Sequence, residues 1–289
     1  MSEQDPLASH LPQGSSVRDT ARTYDRDRYL SALLAPTGAR DDLVTLAAFF
    51  GEIRRIPLLT QDAAIGEIRL QWWRDALAAG ASDQTTGHPI ADALLDVARR
   101  HGLRRDLLLA PLEGFSRELY EDGVRDEREL DEYAYETDGA AIRLALAILG
   151  GPDLREAERS ADDGARALAL TRLALTLPQH VAQGRLPLPQ DWVARVRDPR
   201  GLPQSEARDA VFGLTQIVAG EALLALGRYR GGQARVVKKL VTAFLPMCLI
   251  EPYLKAVGRP GRDALLEVAD ISPLSRVTRL WFAHWRGKI

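Results

Sequence analysis

The sequence predicts an all-α protein organised as one helical domain, and three observations carry that expectation. Apolar residues recur at helical spacing almost everywhere after residue 16. No stretch keeps the period-two alternation of a half-buried strand. No break between the apolar segments is long or polar enough to act as a linker, so residues 17–289 read as a single domain. Residues 1–16, rich in Ser, Pro, Gln and Gly, read as a disordered tail.

In chain order, the pattern predicts helices near 17–34, 40–56, 62–80, 88–101, 103–121, 127–150, 155–177, 203–228, 232–257 and 272–286. The breaks have local causes. Pro36 with Gly38, Pro57, Gly80, Gly87 with Pro89, Gly123, the Gly150-Gly151-Pro152 triplet and the run from Gly184 to Pro203 each interrupt helix propagation.

Composition is that of an ordinary globular protein, with 46% hydrophobic and 27% charged residues. A formal net charge of −2 gives no reason to expect nucleic acid as a general partner. Basic residues are 34 arginines against four lysines (238, 239, 255 and 288), a bias that points to a GC-rich genome more than to a function. The single cysteine, Cys248, lies in an apolar run and reads as a core residue. Acids at Glu3 and Asp5 and the lack of an apolar core near the N-terminus argue against a signal or transit peptide. The apolar run Leu240–Ile250 is about half of the roughly 20 residues a spanning helix needs, so no transmembrane segment is expected.

Three segments concentrate polar groups on otherwise apolar helices. In Arg40–Ile56, Leu43, Leu46, Ala47, Phe50 and Ile53 form one buried stripe, and Arg54 stands one turn beyond Phe50. Such an arginine either snorkels or pairs with a nearby acid such as Glu52, or it reaches a wet cavity or an anion. In Ala165–Leu177, leucines at 168, 170, 173, 175 and 177 mark a buried helix crossed by a polar lane, Arg172, Thr176 and His180, at i, i+4 and i+8. Such a lane lines a cavity or makes core hydrogen bonds. Pro178 predicts a kink or an end near Thr176. In GEIRLQWWRDAL (66–77), Ile68, Trp72 and Leu77 are expected to face the core, with Glu67, Arg69, Gln71 and Asp75 as polar contacts. At the C-terminus, Trp281, Phe282 and Trp285 beside Arg279, Arg286 and Lys288 suit a membrane interface or a protein partner, or docking back onto the domain.

Taken together, these segments resemble the squalene/phytoene synthase family. Arg40–Leu58 resembles its first signature, an arginine opening a helix that ends in a DxxxD pair. ALALTRLALTLPQHVAQGRLPLP (167–189) is similar to its second, and LDEYAYETDG (130–139) to the segment between them, built around Tyr133. The resemblance implies an isoprenoid synthase-type helical bundle around a central cavity. In the family, paired aspartates hold magnesium ions that neutralise a substrate diphosphate.

Carried across by this resemblance, the first pair falls on Arg54 and Leu58 and the second on Thr176 and His180, changing the local charge from −4 to about +1. The surviving DxxxD spacing, Asp122 to Asp126, falls in a predicted loop and reads as solvated surface. The runs at 66–77 and 177–189 and the AFLP at 243–246 are similar to an atypical branch that includes proteins of respiratory complex I assembly. The expectation is therefore a non-catalytic protein with no cofactor and no metal, cytoplasmic or peripheral to an inner membrane (on the matrix side in a eukaryote), with a respiratory-complex subunit or assembly partner. The alternatives are a prenyltransferase that uses Mg2+, or a module that binds a prenyl or phospholipid ligand. Ligand-binding candidates are Arg40, Arg54, Arg69, Tyr133, Arg172, Thr176, His180 and Arg185.

Overall fold

The computed structural model describes residues 16–79, 85–151, 154–232, 239–259 and 261–289. The expected tail lies outside the described residues except for Ser16, which caps the first helix by accepting from the Asp19 amide. Among the described residues there is helix and loop, and no strand.

The segment expected as one helix over 17–34 is two, α1 (Val17–Tyr24) and α2 (Arg26–Leu33). Asp25 separates them: its φ of −139° leaves helical space, and its carboxylate caps α2 by accepting from the Arg28 amide. There follow α3 (Thr37–Ile53), a short α4 (Ile56–Leu59), α5 (Ala63–Ala79), α6 (Pro89–His101) and α7 (Arg105–Arg117). α8 (Glu127–Ala134) runs through a π-helical turn at Tyr135–Gly139 into α9 (Ala140–Leu149). The C-terminal half comprises α10 (Leu154–Arg159), α11 (Ala161–Ala182), α12 (Gln190–Val193), α13 (Gln204–Gly231), α14 (Val241–Phe244), a 3-10 turn (Leu245–Leu249), α15 (Ile250–Val257) and α16 (Pro273–Arg286).

α3 and α11 are the central pillars. α3 packs against α1, α2, α6 and α9, and α11 lies along α13 and against the π-turn and α15. The expected α3 stripe, Leu43, Leu46, Ala47, Phe50 and Ile53, is buried throughout.

One local expectation fails, and of the kink or end expected near Thr176 the end does not occur. Ile68 is 58% exposed, because the inner stripe of α5 is Leu70, Trp73 and Leu77, at i, i+3 and i+7. Trp73 meets Phe49 edge-on at 5.2 Å, while Trp72 is half-buried beside His88. Nor does α11 end near Thr176: it continues through Pro178 to Ala182. The backbone bond that proline removes is outweighed by the burial of Leu177 and His180 on either side of it.

Among the described residues, α13 rather than the run at 240–250 is long and apolar enough to cross a membrane, with a mean hydropathy of 1.6 in its most apolar window. Its inner face, Val211, Leu214, Val218, Ala222, Ala225 and Leu226, is nevertheless buried in the core beside α11.

Candidate binding cavity and its buried ion network

A cavity of about 530 Å³ opens between the α1–α2 junction, the end of α3, α11 and the segment before α16. One face of α11 supplies a wall. Leu168, Arg172, Leu175, Thr176 and Gln179 stand at i, i+4, i+7, i+8 and i+11, so the unbroken helix aims all five at the same space. Opposite them are Arg54 at the C-cap of α3, Arg55 and Leu58. Val268, Ala269 and Asp270 complete the rim.

Beneath the cavity lies a chain of charges that folding brings together. Arg28 Nη1 donates to Asp25 Oδ2 at 2.9 Å, and its Nη2 donates to Asp138 Oδ1 at 2.5 Å. Arg172 donates through Nε and Nη2 to Asp138 Oδ2 at 3.3 Å, and through Nη1 to Glu118 Oε1 at 2.8 Å. The same Glu118 oxygen accepts from the Tyr133 hydroxyl at 2.5 Å, and its Oε2 lies 3.3 Å from His180 Nε2. Arg54 donates to the Tyr24 carbonyl and stands 3.3 Å from Asp25 Oδ2. The Arg172 guanidinium also lies over the rings of Phe115 and Tyr133, at 4.9 and 5.3 Å.

Close helix approaches make this geometry possible. A Cβ on Gly51 would come 3.0 Å from Tyr24 Cβ, so the glycine lets α3 reach the α1–α2 junction. A Cβ on Gly114 would meet Thr137 Cγ2 at 2.5 Å, so α7 presses against the π-turn and carries Glu118, its C-cap, towards the buried Asp138. Single-turn π-helical segments inside α-helices are frequent at functional sites. Here the turn holds Asp138 where Arg28 and Arg172 converge.

Electrostatics follow from burial and pairing. Burial alone would raise the Glu118 pKa, but Arg172, His180 and the Tyr133 hydroxyl outweigh it and hold the carboxyl down at about 2. Asp138 is likewise lowered: burial opposes, and Arg172 and Arg28 prevail. Burial raises the Tyr133 phenol well above its ordinary range, with Glu118 and Asp138 adding to it, so it remains a donor. At the cavity edge Asp27 is raised, because its burial exceeds the help from Tyr253 and Arg276.

The sequence candidates divide accordingly. Arg54, Arg172 and Thr176 line the cavity, together with Leu58. Thr176 returns its hydroxyl to the Arg172 carbonyl at 3.0 Å. Tyr133 and His180 are fully buried behind the cavity, both turned to Glu118. Arg185 is buried elsewhere and clamps the α4–α5 connection, donating to the carbonyls of Pro57 and Gln61 at 2.8 Å each. Arg40 donates to the Ala35 carbonyl at 3.3 Å near the start of α3, and neither it nor Arg69 is among the cavity-lining residues.

Sequence reasoning missed Asp25, Arg28, Glu118 and Asp138. The net positive site inferred from positions 54, 58, 176 and 180 is corrected by them. Asp25, Glu118 and Asp138 stand against Arg28, Arg54 and Arg172, three charges of each sign. Arg54 pairs with Asp25, not with Glu52, which instead takes Arg55.

The squalene/phytoene synthase model matches residues 21–280, which include every element of this site. The chain belongs to the squalene/phytoene synthase family. Within curated proteins it is 28% identical over 276 residues to NADH dehydrogenase (ubiquinone) complex I, assembly factor 6 of Bos taurus, covering 92% of this chain and 80% of that one. It is 32% identical over 191 residues to the 15-cis-phytoene synthase of a Paracoccus species, covering 60% of each. A solved dehydrosqualene synthase in complex with a ligand superposes with a TM-score of 0.75 at 15% identity, covering 93% of this chain and 94% of that one. At that identity the likeness establishes the isoprenoid synthase-type helical fold.

The magnesium that the family resemblance implies does not fit the donors present. Asp25, Asp138 and Glu118 are the buried carboxylates at the cavity floor, and each is already engaged by at least one guanidinium. A hard divalent cation needs free oxygen anions and would have to displace those arginines.

Proposed function

We propose that this family member is non-catalytic and acts as an assembly-type factor for respiratory complex I, on the cytoplasmic or matrix side of the inner membrane. The observation that carries the reading is the pairing of every buried carboxylate beneath the cavity with arginine, which leaves no anionic cradle for a metal-bound diphosphate. Arg54, Leu58, Thr176 and His180, at the positions matched to the family's aspartates, add no carboxylate. The name of the Bos taurus relative supports the assembly role.

Two measurements test it. Purified protein given farnesyl or geranylgeranyl diphosphate with magnesium should release no more diphosphate than a heat-treated control; metal-dependent release above that level refutes the reading in favour of a prenyltransferase. A deletion strain should lose membrane NADH:ubiquinone oxidoreductase activity and regain it with the parent gene.

The cavity itself favours a second, compatible reading, a metal-free site for an anionic prenyl or phospholipid ligand. Leu58, Leu168, Leu175 and Ile250 provide apolar wall, and Arg54 and Arg55 line the same cavity. A phosphate group there would share guanidinium donors with Asp25 and Glu52. Binding of a prenyl diphosphate in the presence of chelator, lost in Arg54→Gln, is the expected result; no binding to the parent refutes it.

A further inference from the structure

The outward face of α16 has no covering element among the described residues, and its chemistry is specific. The inner face is fixed firmly. Arg276 is buried and donates to Asp27 at 2.8 Å, to Asp270 at 2.6 Å and to the Tyr253 hydroxyl at 2.9 Å. Leu280 and Ala283 pack into a cluster with Val241, Leu245, Leu249 and Ile271. Ser272 caps the start, and Gly287 ends the helix in the left-handed conformation at φ 66°.

What this docking leaves outside is a second apolar stripe. Leu274, Val277, Trp281 and Trp285, at i, i+3, i+7 and i+11, are 73%, 49%, 55% and 62% exposed. The two tryptophan rings stack with centroids 6.4 Å apart, and Phe282 stands beside them, 45% exposed. Arg279 and Arg286 lie together on one side of the stripe, beyond Phe282, about 120–140° round the helix from Leu274, and the Arg286 guanidinium sits over the Phe282 ring. From Ile271 to Ile289 there is no acidic side chain, against Arg276, Arg279, Arg286 and Lys288.

We propose that α16 docks this protein flat onto an anionic lipid surface. Its 14 residues span about 21 Å, short of the roughly 30 Å hydrocarbon core, so the helix lies in the interface instead of crossing it. Tryptophans settle at the headgroup boundary, and the guanidiniums along one side of the stripe reach lipid phosphates by extending their long side chains. A second copy of the chain is the poorer occupant, because a symmetric pairing of this face would bring Arg279 and Arg286 of both copies to an interface with no acid on this helix to neutralise them. The segment leading into α16 forms part of the cavity rim, and Val268 there is 86% exposed.

The test is co-flotation of the full chain with phosphatidylcholine vesicles with and without phosphatidylglycerol, together with tryptophan emission. Two of the five tryptophans lie on the stripe, so binding should shift the emission to the blue. Binding should require the anionic lipid and weaken with salt. It should fall about tenfold or more in Trp281→Ala/Trp285→Ala, and also in Arg279→Gln/Arg286→Gln. These side chains are exposed, and thermal melts of both variants should match the parent. Failure of the parent to float, or equal flotation of the tryptophan variant, overturns the proposal. So does a dimer in light scattering that the tryptophan variant dissociates, which would assign the stripe to self-association.

Discussion

Replacing Arg172 with Met tests the buried network at its centre. Arg172 alone joins Glu118 to Asp138, and both carboxylates are almost completely buried. Methionine keeps much of the volume and removes the charge. Asp138 would retain Arg28, while Glu118 would retain His180 and the Tyr133 hydroxyl in contact and the charge of Arg185 at longer range. Breaking a buried pair from one side costs about 3–5 kcal/mol, because it leaves an uncompensated charge. At about 2.1 cal/mol/K per residue, the 289 residues give an unfolding entropy near 0.6 kcal/mol/K and a melting temperature lower by about 5–8 °C.

The pH dependence supplies an independent readout. Glu118 ionises at about 2 in the fold against an ordinary 4.5, so its contribution is fully present above 4.5 and is lost as pH falls towards 2. That contribution is about 3 kcal/mol. In Arg172→Met burial should push the Glu118 pKa up, so the variant is weaker at neutral pH and its acid limb shallower than the parent's. Urea melts from pH 7 down to pH 3 measure both. Adding Glu118→Gln should recover about 1–3 kcal/mol relative to the sum of the single changes. A loss below about 1 kcal/mol with an unchanged acid limb would refute the reasoning, since Arg172 would not then be the compensating charge.

Gly114→Ala should destabilise the fold by about 1–3 kcal/mol in chemical denaturation, because its new methyl would meet Thr137 Cγ2 at 2.5 Å where α7 crosses the π-turn. Arg185→Met should cost about 2–4 kcal/mol by leaving the Pro57 and Gln61 carbonyls without their donor, and amide exchange in the α4–α5 connection should rise more than exchange in α13. Burial pushes the Cys248 thiol up to about 12, so a thiol reagent at pH 8 should label native protein far more slowly than urea-unfolded protein.

The helices and their inward faces were largely legible because periodicity is a local property. The α3 stripe and the polar lane of α11 were both readable from spacing alone, and both sit where the spacing puts them. The failures mark where local rules lose to tertiary packing. Pro178 disfavours a helix locally, yet burial of Leu177 and His180 carries α11 through it. Ile68 is apolar, but the phase of α5 is set by Trp73 against Phe49, and that phase turns Ile68 outward. The short α4 and α12 carried too few residues for a period to show.

The ion network was the least legible part, because its partners are far apart in the chain. Arg28 and Asp138 are 110 residues apart, and Arg172 and Glu118 are 54 apart. Polar residues on apolar helices showed that something had to neutralise Arg54 and Arg172. They could not show that the neutralising groups were Asp25 at a helix cap, Glu118 at a helix end and Asp138 in a π-turn. The consequence is chemical as well as structural. Read from sequence, exchanging acids for Arg54 and its neighbours produces a positive pocket that invites an anion. Folded, the same arginines are largely spent on internal carboxylates. An incoming phosphate must therefore compete with Asp25 for Arg54, and with Glu118 and Asp138 for Arg172. Arg54 is the more exposed of the two, 26% against 14% for the side chain, and its ion pair is with Asp25, with Asp27 and Asp138 feeling its charge from farther off. Any anionic ligand of this cavity should therefore depend on Arg54 for affinity, while Arg172 contributes mainly by holding the floor on which the ligand rests.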